Sequence, residues 1–533
     1  MSDMEKTSNG DTMQDKSEVR APNTLAQIPS LDIEGKVDDL DERRLRAQGH
    51  EAQLERSFTW LGASALAYSI SNSWLTYATC FGLVLAQGGG VTTIFCLVLA
   101  GLLQWVVFLG LGELCSAFPS SGGQYHFTYV FAPESAKNFA AYTTGFINIL
   151  AWWINTSSGT MYTAISAFGC AAYWFPEFAR EPYQVYLVYL AVIFLSLIPI
   201  YLVPQRHLDN LTKTAMGLSL LGMLLTITIC LGMGRGDYAS GSIFTEFQNS
   251  TGWNQGTAWL LSIATALYCF SGNGAVVHIA EELPNPVRKL PQILNMAMAM
   301  GLGIAIPWTI AMLFCIEDMA AVQSAFLPSL EVFSQITGSK GVAVGLQAYM
   351  TFLYYTCIPG QWITCSRLTW AFARDNGLPF AKYWQHIDPR LGIPWRTTAL
   401  AAAFCAIYGV LYIASTAAYN SIINAACLML NIAYVIPQGI LLTVGRDKLP
   451  DRSFSLGRWG YAVNVYSVCF LIVVGVLFCL PSTNPTTVGS MNYNAPVVVG
   501  LFGLICLSWL ERRGKFKGPE IDWELLNNVN LLR

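Results

Sequence analysis

The residues best suited to bind a solute form a short polar run, 270–274, inside the apolar segment 257–280. Glycines on both sides of the asparagine favour an interrupted helix there. Inside a bilayer, interrupted backbone is tolerated only where protein or a water-filled cavity satisfies its polar groups, and in transporters such breaks mark the substrate site. The chemistry predicted is therefore recognition of a small polar solute. The candidate residues are Phe270, Ser271, Gly272, Asn273 and Gly274.

A second polar run occupies residues 69–74, in the middle of the apolar segment 58–86. Polar residues at mid-membrane depth are costly and commonly functional, although serine and asparagine also join neighbouring helices through hydrogen bonds. The two runs lie in the first and sixth apolar segments, which enter the membrane from opposite sides. An inverted repeat of five plus five helices, with its site between two broken helices, requires this relation. The first segment contributes Ser71, Asn72, Ser73 and Trp74.

The two broken helices also predict how the ends of a substrate are held. Amides exposed at the start of a half-helix carry partial positive charge and suit an anionic group. An amine would meet carbonyl oxygens and aromatic faces, where a desolvated cation–π contact contributes about 1–2 kcal/mol. Trp152 in the third segment and Tyr354 in the eighth are predicted near mid-depth. The alternative for each aromatic residue is packing against lipid or the protein core.

Three residues are candidates for carrying a coupled proton. His278 follows the second polar run by about one helical turn, and an unperturbed imidazole titrates near pH ~6.5. Glu113 and Glu281 lie near predicted cytosolic helix ends, where burial would raise a carboxyl pKa into the working range. Glu282 is predicted instead to form an ion pair with Arg288 or Lys289 at an inner gate.

The composition is that of a membrane protein, since 53% of the 533 residues are hydrophobic and only 12% are charged. Twelve segments approach the ~20 apolar residues that cross a bilayer. We expect an all-α integral membrane protein with twelve transmembrane helices, of which the first and sixth are broken. The predicted segments are 58–86, 91–118, 139–168, 184–203, 211–233, 257–280, 293–316, 341–370, 397–414, 419–444, 461–480 and 495–510.

Positive charge predicts the orientation of these segments. With both termini in the cytosol, all of the 30 Lys and Arg residues lie on the cytosolic side except Arg180, Arg235 and Lys340, as the positive-inside rule requires. The sequon at Asn249 then falls in an outer loop and is a glycosylation candidate.

The chain divides into four predicted parts: a cytosolic tail (1–56), a transporter core (57–444), two peripheral helices (445–510) and a cytosolic C-terminal tail (511–533). Polar composition predicts disorder up to about residue 40, and residues 41–56 are expected to lie along the membrane surface. No cofactor or metal is expected. Metal-type cysteine spacing is missing and the five histidines are scattered, which also excludes a membrane-embedded enzyme of the usual kind.

Sequence motifs then indicate a family. The stretch 112–125, Gly-Glu-Leu-Cys-Ser-Ala-Phe-Pro-Ser-Ser-Gly-Gly-Gln-Tyr, resembles the amino acid–polyamine–organocation permease superfamily. Together with 132–134, 280–282 and 366–375, it is similar to the fungal branch of choline and γ-aminobutyrate permeases. The resemblance runs from about residue 41 to 396. It implies a LeuT-type fold, in which segments one to five and six to ten form the inverted repeats.

The resemblance also implies a function and one departure from the pattern. Members bind the substrate's carboxylate or polar head at the two breaks and are commonly driven by a proton gradient. Relatives usually carry an aspartate shortly after the aromatic residue of segment six, where this chain has the neutral Asn273. We therefore expect a secondary active transporter of amino acids or related small amines, GABA-like or choline-like, that is proton-coupled and works by alternating access. The alternatives are a choline or polyamine permease and a non-transporting nutrient receptor. The expected location is the plasma membrane, with the vacuole as the alternative.

Overall fold

The computed structural model describes residues 40–177, 181–234, 241–487 and 491–531. Within these ranges the chain is all-helical and contains no strand, as the sequence predicts. Residues 1–39 of the predicted tail, together with Arg180 and Arg235, lie outside the described residues.

The helices follow one another with short connections. The α-helices are α1 (40–47), α2 (Trp60–Ser71), α3 (Ser73–Ala117), α4 (Gln124–Phe131), α5 (Lys137–Trp174), α6 (Pro182–Leu202), α7 (Gln205–Met233), α8 (Gln255–Ser271), α9 (Pro286–Phe314), α10 (Met319–Ser324), α11 (Pro328–Thr337), α12 (Lys340–Arg374), α13 (Ala381–Trp384), α14 (Trp395–Ala414), α15 (Thr416–Val444), α16 (Trp459–Leu477), α17 (Asn494–Arg512) and α18 (Trp523–Leu531). Short 3₁₀ helices span Gly241–Phe244, Gly272–Glu282 and Arg446–Lys448.

Ten helical stretches of the described chain are long and apolar enough to cross a membrane, compared with the twelve segments predicted. One of the ten, Trp60–Ala117, is 58 residues long and contains both of the first two predicted segments. It is interrupted at Asn72 and again at Gly88 and Gly89. Gly89 has φ +71°, a left-handed conformation that side chains with a Cβ rarely adopt. The 38-residue helix α5, which holds the third predicted segment, is not among the ten.

Both predicted helix interruptions are present. Between α2 and α3, Asn72 alone adopts a left-handed conformation, with φ 34° and ψ 60°. After α8 the chain changes at Gly272 from an α-helix to the 3₁₀ helix Gly272–Glu282. A left-handed backbone conformation costs little free energy when the residue is asparagine. A 3₁₀ helix is wound more tightly than an α-helix, so its backbone groups reach different neighbours. The two interruptions lie side by side, since the Ser73 hydroxyl donates a hydrogen bond to the Cys269 carbonyl (3.0 Å).

The interrupted helices form the centre of the bundle. α3 packs against α8 and α9, and α2 packs against α7 and the 3₁₀ helix Gly272–Glu282. α5 packs against α12 and α15 and closes the other side. Large side chains at these contacts are fully buried, including Trp74, Trp152 and Trp362. The centre is therefore a packed core with a small space beside the breaks.

The two ends of the described chain meet under one end of the bundle. The Asp522 amide donates to the Ala47 carbonyl (2.8 Å), and the Lys517 amide donates to the Asp375 carbonyl (3.1 Å). We call residues 40–50 and 515–526 the terminal strap. In the first part of the predicted surface segment 41–56, Asp41, Leu45 and neighbouring side chains are buried in the protein. A position along the membrane surface stays a prediction.

Candidate functional site

A small cavity of about 40 Å³ lies beside both helix interruptions. That volume holds only a few water molecules, so a solute would fit only after the wall moves apart. Its wall combines the breaks of α2 and α8 with one face each of α5 and α12. The lining residues are Ile70, Ser71, Asn72, Leu75, Thr76, Thr79, Asn155, Gly159, Tyr162, Tyr268, Gly272, Tyr354, Cys357 and Gln361.

The wall of this cavity is polar but contains no Asp, Glu, Lys, Arg or His. Two of its buried oxygen atoms, Ser71 Oγ and Gln361 Oε1, have no hydrogen-bond partner among the described residues. Buried polar atoms are normally paired, and an unpaired one costs about 1–3 kcal/mol. Both oxygens are therefore available to accept hydrogen bonds from a bound solute.

Three tyrosines contribute to the wall. The Tyr162 and Tyr268 ring centroids lie 6.4 Å apart at an angle of 52°. The Tyr354 hydroxyl donates to the Leu75 carbonyl (3.0 Å), and the Tyr268 and Ser158 hydroxyls are hydrogen-bonded (2.7 Å). Because their hydroxyls are engaged, Tyr268 and Tyr354 have fixed rings. Fixed aromatic rings around an uncharged space suit a small ammonium group.

The conformation of Asn72 is held by contacts with Ser219, outside the cavity, and with Cys357 in its wall. The Ser219 hydroxyl donates to Asn72 Oδ1 (2.8 Å) and accepts a hydrogen bond from Trp74 Nε1 (3.0 Å). The Asn72 amide nitrogen also faces Cys357 Sγ at 3.5 Å. Trp74 thus lies outside the cavity wall and stabilises the conformation of Asn72 through Ser219. Its ring centroid is 5.4 Å from that of Trp308.

Eleven residues were predicted to bind substrate, and the structure brings four of them to the cavity wall. These four are Ser71, Asn72, Gly272 and Tyr354. The other seven lie outside the wall of this cavity. They are Ser73, Trp74, Trp152, Phe270, Ser271, Asn273 and Gly274.

The residues of the second polar run mostly face neighbouring helices. Asn273 Nδ2 donates to Met298 Sδ (2.9 Å), and its Oδ1 has no partner among the described residues. The Ser271 carbonyl accepts from the Tyr434 hydroxyl (2.8 Å), which also leaves no room for a Cβ at Gly274. Tyr434 of α15 thus satisfies one backbone carbonyl of the interruption, and Asn273 contacts α9.

The remaining predicted residues also pack between helices. A Cβ added at Gly101 or Gly301 would touch the Phe270 ring, at 3.0 and 3.4 Å. The Trp152 and His278 ring centroids lie 6.2 Å apart. A one-dimensional pattern locates a break in a helix but not the side of the helix that faces the space, which explains these differences.

Of the residues on α5 and α12 that complete the wall, sequence reasoning identified only Tyr354. On α5, Asn155, Gly159 and Tyr162 recur at positions i, i+4 and i+7. On α12 the positions i, i+3 and i+7 are Tyr354, Cys357 and Gln361. This spacing puts each set on one helix face. The recurrence of small and polar residues at that spacing was a usable signal.

Buried ion pairs close one end of the bundle, the end predicted to face the cytosol. Arg367 Nε lies 2.7 Å from Glu282 Oε1, and both side chains are 0% exposed. Gln205 Nε2 donates to the same carboxylate (2.9 Å). The prediction that Glu282 pairs with Arg288 or Lys289 is wrong, because α12 places a guanidinium directly against it. Glu281 forms two hydrogen bonds of 3.0 Å with Arg374. We call these two pairs the inner gate.

A model of the family described as "Amino acid permease" matches residues 58–502 of the chain. The protein belongs to the amino acid permease family. The match covers both interruptions, the cavity and the inner gate, and agrees with the superfamily resemblance seen in the motifs. Together with the ten apolar helices, it establishes an integral, multi-pass membrane protein that transports rather than catalyses.

Similar proteins of fungi and plants match the permease over most of its length. A choline transporter of Saccharomyces cerevisiae is 29% identical over 490 residues, 91% of this chain and 85% of the relative. An uncharacterized amino-acid permease of Schizosaccharomyces pombe is 26% identical over 513 residues, 94% of each chain. An amino-acid permease (BAT1 homolog) of Oryza sativa subsp. japonica is 26% identical over 517 residues, 93% of this chain and 99% of the relative. The permease is thus a transporter of amino acids or amines.

The candidate proton carriers of the permease lie outside the cavity wall. Glu113 binds two guanidinium groups, with Arg446 Nη2 at 2.5 Å and Arg452 Nη2 at 2.8 Å. Glu281 binds Arg374 within the inner gate. His278 contacts only uncharged groups, since its Nδ1 lies 3.0 Å from the Ser121 carbonyl and its Nε2 3.4 Å from the Asn148 amide. The imidazole is therefore the only one of the three candidates without an ion-pair partner among the described residues.

The sequon of the permease lies in a loop stabilised by its own side chain. Asn249 Oδ1 accepts from the Thr251 amide (2.9 Å) and hydroxyl (2.7 Å), and its Nδ2 donates to the Trp253 carbonyl (2.6 Å). The amide nitrogen that would carry a glycan is therefore already engaged in this conformation. Glycosylation at Asn249 stays a prediction.

Proposed function

We propose that this permease is a proton-coupled secondary active transporter of amino acids or related small amines, and that the substrate binds in the cavity beside the two breaks. The observation that carries the proposal is the chemistry of that cavity. Its wall has three tyrosines and two unpaired oxygens but no charged side chain. A primary ammonium group would pack against the rings and donate to Ser71 Oγ and Gln361 Oε1, whereas a quaternary ammonium group has no N–H and would contact the rings alone.

Within this class, the wall favours a choline-like or GABA-like amine over a polyamine. A polyamine carries several separated charges, and each would need its own counter-group in a low-dielectric space. One compact ammonium needs only aromatic faces and a few oxygens. The similarity to a choline transporter points the same way. A non-transporting receptor of the same fold is the alternative, and only a flux measurement distinguishes it.

Alternating access would follow from the closed inner gate. We infer twelve crossings arranged as two inverted five-helix repeats within a core of 57–444, with 445–510 peripheral. On this view Trp60–Ala117 supplies two crossings and α5 supplies one more. Both termini would lie in the cytosol, as tails over 1–56 and 511–533, and the proposed location is the plasma membrane. The cavity opens to the inner side when the Glu282–Arg367 and Glu281–Arg374 pairs separate.

Replacing Ser71 with alanine should raise the KM for the substrate, because it removes an unpaired oxygen from the cavity wall. A lost hydrogen bond of about 0.5–1.5 kcal/mol corresponds to a roughly 2- to 12-fold change. Uptake of radiolabelled choline and a panel of amino acids in a transport-deficient host would measure it. Asn273→Ala is the control, since Asn273 lies outside the wall and should leave KM unchanged. Equal effects of the two variants would refute this location of the site.

Dissipating the proton gradient should abolish concentrative uptake, and His278→Gln should do the same while leaving substrate binding intact. Glutamine retains hydrogen bonding but has no titrating group. The measurement is uptake by reconstituted vesicles with and without an imposed pH gradient. His207→Gln, a substitution of an exposed histidine, should behave as wild type.

Binding of the substrate without flux in the wild-type protein would favour the receptor. Gradient-driven uptake by His278→Gln would exclude this residue as the carrier.

A further inference from the structure

Three side chains from distant parts of the chain meet beneath the inner gate. They are His50 from the terminal strap, His126 from α4 and Asp375, which follows α12. His126 Nε2 lies 2.8 Å from Asp375 Oδ2, and His50 Nε2 lies 3.9 Å from Asp375 Oδ1. The two imidazole rings stack, with centroids 5.0 Å apart and an interplanar angle of 20°. All three residues are buried.

One nitrogen in this cluster lacks a hydrogen bond. His50 Nε2 is buried and has no hydrogen-bond partner among the described residues. A ring nitrogen that is not engaged in a hydrogen bond can offer its lone pair to a cation when the imidazole is neutral.

We propose that His50, His126 and Asp375 form a binding site for a divalent transition metal, with Zn²⁺ as the reference ion. Two imidazole nitrogens and a carboxylate oxygen are a ligand set that suits Zn²⁺, with a water completing four-coordination. Bonds of about 2.0–2.2 Å in a tetrahedral site place ligand atoms roughly 3.3–3.5 Å apart. The candidate ligand atoms already lie within 4.8 Å of one another, so small side-chain shifts complete the site.

Neighbouring groups already orient two of the three ligands. His126 Nδ1 is hydrogen-bonded to the Ser120 hydroxyl, which directs the other ring nitrogen toward Asp375. The Tyr125 hydroxyl donates to Asp375 Oδ2 (2.9 Å). Such outer contacts fix ligand orientation in metal sites. Arg374, the nearby positive charge, is neutralised by Glu281.

A metal at this position would join the terminal strap to α4 and α12. Because α12 also carries both arginines of the inner gate, the bound metal holds the inner end closed and inhibits transport. This effect on transport rests on the proposed alternating access, whereas binding of the metal does not.

Zn²⁺ binding to the purified full-length protein tests the site directly. Isothermal titration against a competing chelator should give one Zn²⁺ per chain. His50→Gln should weaken this binding by at least about tenfold, since even outer-shell changes cost roughly 10–100-fold. His386→Gln is the matched control and should bind as wild type. Absence of stoichiometric binding, or wild-type affinity in His50→Gln, would overturn the proposal.

Two further measurements separate a failed fold from a failed site. Without Zn²⁺, His50→Gln should have the wild-type melting temperature, because His50 Nε2 donates no hydrogen bond in the described chain. With Zn²⁺ on the inner side of vesicles, uptake should slow in wild type and not in His50→Gln. Equal inhibition of both would overturn the gating effect. If a variant shows no uptake, its inhibition by Zn²⁺ cannot be measured. The binding titration is then the readout.

Discussion

Glu282→Gln is expected to abolish most uptake by leaving Arg367 buried without its counter-ion. Both side chains are 0% exposed in the closed inner gate, and removing one partner of a buried pair costs about 3–5 kcal/mol. That cost falls on the closed state, because water can solvate the guanidinium once the gate opens. The equilibrium between closed and open states should therefore shift roughly 150- to 5000-fold toward opening.

Labelling of Cys357 would measure this shift, because this thiol lines the cavity. An impermeant maleimide applied from the inner side should modify the Cys357 peptide faster in Glu282→Gln than in wild type, as mass spectrometry would detect. Glu511→Gln is the control, since the Glu511 side chain is 49% exposed and its carboxylate can be solvated by water, and exposed ion pairs contribute little. The double variant Glu282→Gln/Arg367→Gln should recover part of the closed state. Unchanged labelling in Glu282→Gln would show that the pair is not a gate.

Gly159→Val should block the substrate site. Gly159 lies in the cavity wall, and a Cβ there would stand 2.9 Å from Gln361 Oε1. The valine methyl groups would occupy space and push Gln361 from its position. Overpacking costs about 1–3 kcal/mol, so affinity should fall roughly 5- to 150-fold. Saturable uptake and equilibrium binding of the best substrate would measure the loss.

Gly303→Val provides the matched control for this substitution. Gly303 is also in a helix, α9, but a Cβ there meets nothing within 4 Å. The two variants therefore share the change in helix propensity and differ only in the cavity. Loss of binding in both, or in neither, would contradict the assignment of the wall.

The sequence predicts the helical class and the positions of the two breaks better than it predicts the side chains around the solute. Asn72 and Gly272 stand where the polar runs indicated, because a polar interruption of an apolar helix is visible in one dimension. Which side of the broken helix faces the cavity depends on rotation of the helix and on its neighbours. Asn273 accordingly proved to face Met298 rather than the cavity.

Contacts between distant parts of the chain were the least predictable. Glu282 and Arg367 are 85 positions apart, and charges close in sequence gave the wrong partner. The five histidines are scattered along the sequence, yet the fold stacks His50 on His126. Only the packing of α4, α12 and the terminal strap brings these groups together. In the same way, the ten helical stretches reach the predicted twelve crossings only if the 58-residue stretch counts as two and α5 as one more.

The distance between the two parts of the terminal strap should change during the transport cycle. Its two parts are joined by the hydrogen bond from Asp522 to Ala47 and rest against the residue that follows α12. Any movement of α12 that opens the inner end must strain or separate them. Fluorophores attached to the two parts of the strap should lose energy transfer as the cavity opens, which gives a real-time signal without labelling the core.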